Sequence, residues 1–398
     1  MRVLAAILIT ATISLAAPAS AASAAPAAPA AGTSSAGSIF LVGGALADDN
    51  TAVYSELIRQ AGGPAARIGV LSASSAQPHW SANDAARSLK RNGATDVTWI
   101  PVTTRQAGSG EDPAYAALAA SMTGFFFTGG DQFRYVQSMI RPDGSDGAVL
   151  AAIRQRFQAG APVAGTSAGM QIFAGPDMVT GGLSYYGVRD GAQPGYFDTD
   201  QVLGYWPAGG FGFLPSGLVD THFDARGRNG RSIRLAADTG HDRVYGVGEN
   251  TALIVAPDGT ARVVGTNGVS ILDLRTAVVG SVGGRWAISG VRWSYLVDGD
   301  SYHTGLWQVT KGPGSAVLTP DSRAAGPGTS NVFGSYAMRD AAFDLADAGL
   351  SASVTGRTAE TTPQYAVDLT KVTGFAAYTT DGATASSFTD LSVAIHIA

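Results

Sequence analysis

The chain has 398 residues, 45% of them hydrophobic and 14% charged, which suffices for one large or two medium domains around an ordinary globular core. Its formal net charge of -5, with no long basic run, gives nucleic-acid binding no electrostatic footing, so no nucleic-acid partner is expected. Cysteine is absent, which excludes thiol catalysis, disulfides, cysteine zinc sites and bacterial lipid attachment, and suits a chain exported without oxidative folding.

Residues 1–21 have the build of a secretory signal peptide: Met1-Arg2 is the short basic start, Val3 to Ala16 the apolar centre, and Ala19-Ser20-Ala21 the small-residue cleavage site. That apolar centre is shorter than the roughly 20 residues a spanning helix needs. Residues 22–37 form an Ala/Pro/Ser tract with nothing to bury and are expected to be a flexible leader. With the signal removed, no membrane partner remains, and the protein is expected to be secreted.

From Ser38 onward, compact apolar runs alternate with amphipathic ones. Ile39-Phe40-Leu41-Val42 leads into a helix over Thr51 to Ala61, and Arg67 to Leu71 leads into one over Asn83 to Asn92. Asp96 to Val102 is followed by a helix from Ala114 to Ser121, and a fourth strand, Gly124 to Phe127, runs through Thr128-Gly129-Gly130-Asp131-Gln132 into a helix from Phe133 to Ile140. Strands apolar on both faces and alternating with helices imply an α/β fold, a parallel sheet doubly wound with helices, whose sites lie beyond the carboxyl ends of the strands. The pair Gly129-Gly130 would expose backbone amides able to hold an oxyanion, or simply turn the chain from strand to helix.

The next stretch carries the strongest chemical signal. Ala148 to Gly160 is an amphipathic helix, Pro162 blocks its continuation, and Val163-Ala164 begins a short buried strand that turns through Gly165-Thr166-Ser167-Ala168-Gly169 into a helix reaching Ala174. Gly-x-Ser-x-Gly alone, in a chain with 52 glycines, does not separate a nucleophile elbow from a glycine-rich turn. The order helix, strand, serine, helix is the context a nucleophile elbow requires, and it makes Ser167 a candidate nucleophile with the Ala168 amide facing the reacting carbonyl.

Further on, after Phe213-Leu214-Pro215, the run Asp220-Thr221-His222-Phe223 holds one of five histidines, with Arg226, Arg228 and Arg231 close behind. His222 is a base or an ordinary surface imidazole; the arginines are carboxylate-binding forks or a solvated basic face. Glu249 stands between two strand-like runs, Val244 to Val247 and Thr251 to Val255, as an orienting carboxylate or a plain turn residue. Residues 305–398 are rich in Thr, Ser, Ala and Gly, with alternating runs such as Gln364 to Leu369, and are expected to be a β-rich addition of unspecified role. No phosphate-binding glycine loop ending in Lys and no histidine pair at metal spacing is present.

Four stretches together resemble the cyanophycinase and dipeptidase E group of serine peptidases: Phe126 to Gln132, Gly165 to Gly169, Asp220 to Phe223 with the three arginines, and Gly248-Glu249-Asn250-Thr251-Ala252. The resemblance covers residues 38–304. It implies a class I glutamine-amidotransferase-like, flavodoxin-like fold, with Ser167 as nucleophile, His222 as general base and Glu249 as the acid that orients it. The amides of Gly130 and Ala168 then form the oxyanion hole, and Gln132, Arg226, Arg228 and Arg231 line the substrate pocket; Asp220 and Thr221 beside them are expected to bind substrate as well, Asp220 meeting a guanidinium. The implied substrate is cyanophycin, a poly-aspartate carrying isopeptide-linked arginine, cut to β-aspartyl-arginine dipeptides. No metal or organic cofactor is implied, and the resemblance raises a homodimer as the assembly.

Two positions depart from the family pattern: Thr221 replaces the usual Gln, and Gly43-Gly44-Ala45-Leu46-Ala47 replaces Gly-Gly-Ala-Glu-Asp. The alternatives are a secreted peptidase for short aspartyl peptides and a catalytically inactive protein that binds a peptide or polymer. A glutamine amidotransferase is excluded by serine where those enzymes use cysteine.

Overall fold

The computed structural model describes residues 36–214 and 216–398; the expected signal peptide, nearly all of the leader, and Pro215 lie outside the described residues. The first part of the chain alternates as anticipated: β1 (Ile39–Val42), α1 (Thr51–Gln60), β2 (Arg67–Leu71), α2 (Pro78–Arg91), β3 (Asp96–Trp99), α3 (Pro113–Ala120), β4 (Gly124–Phe127), α4 (Gln132–Met139), α5 (Ala148–Gln158) and β5 (Val163–Thr166). Helix α2 starts five residues earlier than its apolar period suggests, because Pro78 suits a first helical turn, where its missing N–H has no partner to lose.

These five strands lie parallel in the order β1-β5-β4-β2-β3. Both faces are buried, as the unbroken apolar runs require. Ile39, Leu41, Phe125, Phe127 and Val163 point into a core shared with α3, α4 and α5, while Phe40, Val42, Phe126 and Ala164 point into a second core with α1 and α2. The fold is therefore α/β and doubly wound, as the sequence predicts.

After the short α6 (Ala168–Gln171) come β6 (Met178–Gly181), α7 (Ser184–Asp190), β7 (Ala192–Pro194) and β8 (Leu203–Trp206), whose strands form a small sheet of their own. Then follow β9 (Leu218–Asp220), α8 (Asn229–Thr239), β10 (Arg243–Val247), β11 (Thr251–Val255), β12 (Thr260–Gly265), β13 (Val269–Asp273), β14 (Val278–Val282), β15 (Arg285–Leu296), β16 (Ser301–His303) and β17 (Gln308–Thr310). The chain shuttles between two sheets here. Strands β11, β12, β16 and β17 extend the first sheet antiparallel from β1, whereas β9, β10, β13 and β15 build a second sheet.

The C-terminal residues supply β18 (Ala316–Val317), α9 (Ala337–Asp347), β19 (Ser353–Arg357), β20 (Tyr365–Thr379) and β21 (Ser387–Ile397). They are β-rich, with one helix that composition does not announce. Strand β21 pairs directly with β15, so this region continues the second sheet. Trp293 and Tyr295 of β15 pack on Phe388 of β21 with ring centroids 5.0 and 6.0 Å apart, inside one apolar core. The described residues form a single compact unit.

Candidate active site

Strand β5 stops at Thr166, and Ser167 takes φ 54° and ψ -120° before α6 begins. A non-glycine residue held there costs about 1–3 kcal/mol, which surrounding structure must offset. Small neighbours make the turn feasible. A Cβ at Gly165 would lie 2.0 Å from the Gly169 carbonyl oxygen, and one at Gly169 would lie 2.2 Å from that of Phe127. Both glycines of Gly-x-Ser-x-Gly are thus sterically required, which an ordinary surface turn would not demand.

Two strands of the second sheet bring the partners. His222 follows β9 at φ 47°, its N–H donating to the Gly43 carbonyl at 2.7 Å, and its imidazole lies over Gly44, where a Cβ would come within 2.2 Å of the ring. The Ser167 Oγ to His222 Nε2 distance is 2.8 Å, and His222 Nδ1 lies 2.6 Å from Glu249 Oε1. With Nδ1–H donating to the carboxylate, Nε2 is left to accept the serine proton. Glu249 sits where the chain crosses from β10 to β11. Asn267, at the return crossing from β12 to β13, donates its side-chain amide to the Glu249 carbonyl at 2.7 Å. Asn250 ties this crossing to the end of β1: its N–H donates to the Gly44 carbonyl at 2.8 Å, and its Oδ1 accepts from the Ala47 N–H and the Asn50 side-chain amide.

Backbone strain concentrates here. Of the eight non-glycine residues with positive φ among those described, Ala45, Ser167, His222 and Asn250 stand at adjoining strand ends around this one hydrogen-bonded chain. Such strain marks functional clamps more often than structural loops.

A pocket of about 240 Å³ opens over Ser167. Gly130 and Ala168 line it, and neither amide makes a hydrogen bond among the described residues. The glycine turn is fixed by Ser74, whose hydroxyl donates to the carbonyls of Thr128 and Gly129 and whose own carbonyl accepts the Asp131 N–H. Gln132 also lines the pocket, with its side-chain amide donating to the Val179 and Thr180 carbonyls. Thr221 accepts from Arg228 Nη1 at 2.9 Å.

The arginines divide by environment. Arg226 is exposed at the rim and makes no side-chain hydrogen bond among the described residues. Arg228 is half-buried against Thr221, and burial together with neighbouring Arg231 pushes its guanidinium down to about 9, so it stays charged at neutral pH. Arg231 is buried, donating to both Asp220 oxygens at 2.7 and 2.6 Å and to the Gly182 carbonyl. This corrects the expectation for Asp220. Its side chain has no exposed surface, it accepts from Arg231, Arg228, Ser232 and the Thr221 N–H, and it lies outside the pocket lining, so it cannot meet a substrate guanidinium. Burial alone would push its carboxyl up, but Arg231 and Arg228 outweigh that and hold it below the usual range. Asp220 is the internal counter-ion that anchors the arginine cluster.

Burial also holds the His222 imidazole below the usual histidine range. The Glu249 hydrogen bond opposes this, and the charges of Arg226 and Arg228 add to it. A neutral imidazole at neutral pH is the form that can take a proton from serine.

Sequence reasoning passes over Asp131 and Tyr196 as site residues. Asp131 lines the pocket and accepts from the Tyr196 hydroxyl at 3.1 Å, while the Tyr196 ring stacks on Phe133 at 4.9 Å. Asp131 carries a local signal, standing between Gly129-Gly130 and Gln132 at a strand end; Tyr196 carries none, since its loop reaches the site only through the small β6-β8-β7 sheet.

Over 241 residues the chain is 30% identical to a cyanophycinase of Trichormus variabilis, covering 59% of this chain and 73% of that one. The chain belongs to the cyanophycinase family. It is a serine-type peptidase. A cyanophycinase of Synechococcus elongatus is 29% identical over 287 residues, covering 69% of this chain and 81% of the relative. Among solved structures, a peptidase from an acI-B1 Actinobacterium superposes with a TM-score of 0.48 at 18% identity, covering 67% of this chain and 97% of that one. No family model matches the chain. Among the described residues of this cyanophycinase-family chain, no group of three or more His, Asp or Glu side chains could hold a metal ion, and no helix is long and apolar enough to cross a membrane.

Proposed function

We propose that the protein is a secreted exopeptidase that hydrolyses cyanophycin to β-aspartyl-arginine dipeptides through an acyl-enzyme. The observation that carries this is the hydrogen-bonded chain Ser167, His222, Glu249 opening into an arginine-lined pocket. Ser167 Oγ attacks the amide carbonyl carbon as His222 Nε2 takes its proton, and Glu249 stabilises the imidazolium. The amides of Ala168 and Gly130 receive the developing oxyanion. His222 then protonates the leaving amine, and water, deprotonated by the same imidazole, hydrolyses the ester and frees Ser167.

The pocket explains why the substrate should be acidic yet carry a cation. Arg226 and Arg228 offer donors to the free carboxylates of the isopeptide-linked arginines, while Asp131, backed by Tyr196, is the carboxylate that faces the same space and would meet the substrate guanidinium. The relatives' cyanophycinase names support this choice over short aspartyl peptides. Export rests on the signal-like residues 1–21.

The test is to offer purified protein both cyanophycin and α-linked poly-aspartate and to assay released dipeptide, with Ser167→Ala as control. Dipeptide from cyanophycin alone, lost in the variant, is expected. Cleavage of the α-linked chain, or an active Ser167→Ala protein, would overturn the assignment. Culture fractionation tests export: the protein should be found in the medium without residues 1–21.

A further inference from the structure

A second cavity of about 630 Å³ shares no lining residue with the pocket at Ser167. It lies where β13, β15 and the β16-β17 hairpin meet the C-terminal strands β20 and β21, and its size suits a dipeptide-sized ligand. Its polar walls are incomplete. Arg292 Nη1 and the Tyr302 hydroxyl are buried without a hydrogen-bond partner among the described residues, and Tyr302 is only 2% exposed. Buried donors are normally satisfied, so two unpaired ones in one cavity wall ask for an acceptor from outside the chain.

The opposite pole is also open. The Asp390 carboxylate lines the same cavity and makes no hydrogen bond or ion pair among the described residues. The residue is exposed to solvent, and partial burial of its carboxyl pushes it up although Arg292 pulls the other way. Neighbouring charges are already matched: Asp273 holds Arg275 in a paired hydrogen bond, and the Arg275 and Arg243 guanidiniums lie 3.8 and 3.5 Å from the centroid of the Trp307 ring, fixing it in the wall. Trp307 and Asp390 both sit in the left-handed region, at φ 57° and 58°, so two of the remaining strained non-glycine residues face this one cavity.

We propose that this cavity is a second binding site for a peptide unit bearing both a free carboxylate and a guanidinium, the carboxylate held by Arg292 and Tyr302 and the guanidinium by Asp390. The choice of ligand rests on the function proposed above, whose substrate and product both carry this pair of charges. Two sources offer it: a further unit of a polymer chain whose end lies at Ser167, and the released dipeptide.

The test uses the full-length protein with Arg292→Gln and with Asp390→Asn; asparagine tolerates the left-handed backbone at 390, so the second variant keeps the fold if the first does not. Three measurements separate the outcomes: calorimetric titration with β-aspartyl-arginine, co-sedimentation with insoluble cyanophycin in a Ser167→Ala background, and kcat/KM on a short soluble β-aspartyl-arginine oligomer. Loss of one charge-assisted contact should weaken binding about tenfold. Weaker co-sedimentation with unchanged short-substrate kinetics supports the site and assigns it to the polymer. A dipeptide-binding step lost without change in co-sedimentation supports the site and assigns it to the product. Unchanged binding of both probes overturns it, as does an equal loss on the short substrate, which would mean that the cavity is a hydrated gap whose residues only support the fold. If the parent protein fails to cleave cyanophycin, the functional reading falls, while the dipeptide titration of parent and variants still decides whether the cavity binds.

Discussion

The two sheets contribute unequal halves of the proposed catalytic chain. Ser167 belongs to the parallel sheet, and the groups that shape its turn lie on β4, β5 and α6 and on the end of β1, where the Val42 carbonyl accepts the Ser167 N–H at 3.0 Å. His222 and Glu249 stand at the ends of β9 and β10 in the second sheet, whose far strands come from the last hundred residues. The proposed nucleophile is therefore a local device, encoded within a few glycine contacts, whereas the proposed base and its carboxylate are held by pairings that reach from Gly43 to the C-terminal strands. Perturbations of the first half should change chemistry alone; perturbations of the second should couple chemistry to folding.

Ser167→Ala tests the local half most directly and should have the largest effect. It removes one hydroxyl and no packing, so the melting temperature should hold while turnover falls by about 10⁴-fold or more, the loss typical of a missing triad member. Near-normal activity would show that another group attacks. Glu249→Gln should follow, with a fall of about 10³ to 10⁴-fold in kcat and little change in KM, because an amide cannot stabilise the imidazolium formed in the transition state. A raised KM with kcat intact would move Glu249 from the catalytic chain to the pocket wall.

The non-local half is tested at Phe333, which follows β18 and precedes α9. A Cβ on Gly227 would lie 2.0 Å from the Phe333 carbonyl oxygen, and one on Gly230 would lie 2.6 Å from its ring, so this residue presses on the loop between His222 and α8. Close by, the Tyr336 N–H donates to the Asp224 carbonyl at 2.7 Å. Phe333→Ala removes a partly buried ring and should cost about 1–3 kcal/mol of stability. It should also lower kcat several-fold by loosening His222, while labelling of Ser167 by a small phosphonate slows by the same factor. Lost stability with unchanged kcat would separate the C-terminal region from the site.

The same contrast explains what could be read in advance. The run Ile39 to Val42 announces a strand buried on both faces because every residue is apolar, whereas Gly165 and Gly169 point to the elbow only within the order helix, strand, serine, helix, and their fit beside the Gly169 and Phe127 carbonyls is visible only in the fold. Asp220 was misleading for a physical reason. A carboxylate just before Thr-His looks like a ligand-binding group until Arg231, eleven residues on, is carried back by α8 to neutralise it, and local spacing does not encode that return. Alternation in Gln364 to Leu369 shows a strand, but which sheet it joins is decided by β21, which pairs with it on one side and with the distant Ile288 and Val291 of β15 on the other. Helix α9 hides because its buried face, Met338, Ala342, Leu345 and Ala346, is half alanine within a Thr/Ser/Gly-rich setting.

The smallest predicted effect isolates electrostatics from structure. Arg226 is exposed and unpaired among the described residues, so Arg226→Gln should leave stability within about 0.5 kcal/mol. Its charge nevertheless helps to keep His222 below the usual histidine range. The active imidazole is neutral, so activity rises with pH through the folded-state pKa of His222, and that limb now lies at a lower pH than for a free histidine. Removing a positive charge favours the imidazolium and raises this pKa, moving the acid limb of kcat/KM to higher pH while the plateau changes little for a short uncharged ester substrate. Added salt should shrink the difference between parent and variant, because an exposed charge is screened. A limb that moves to lower pH, or does not move at low ionic strength, would mean that burial, Glu249 and Arg228 set the imidazole, and that Arg226 does not tune the base.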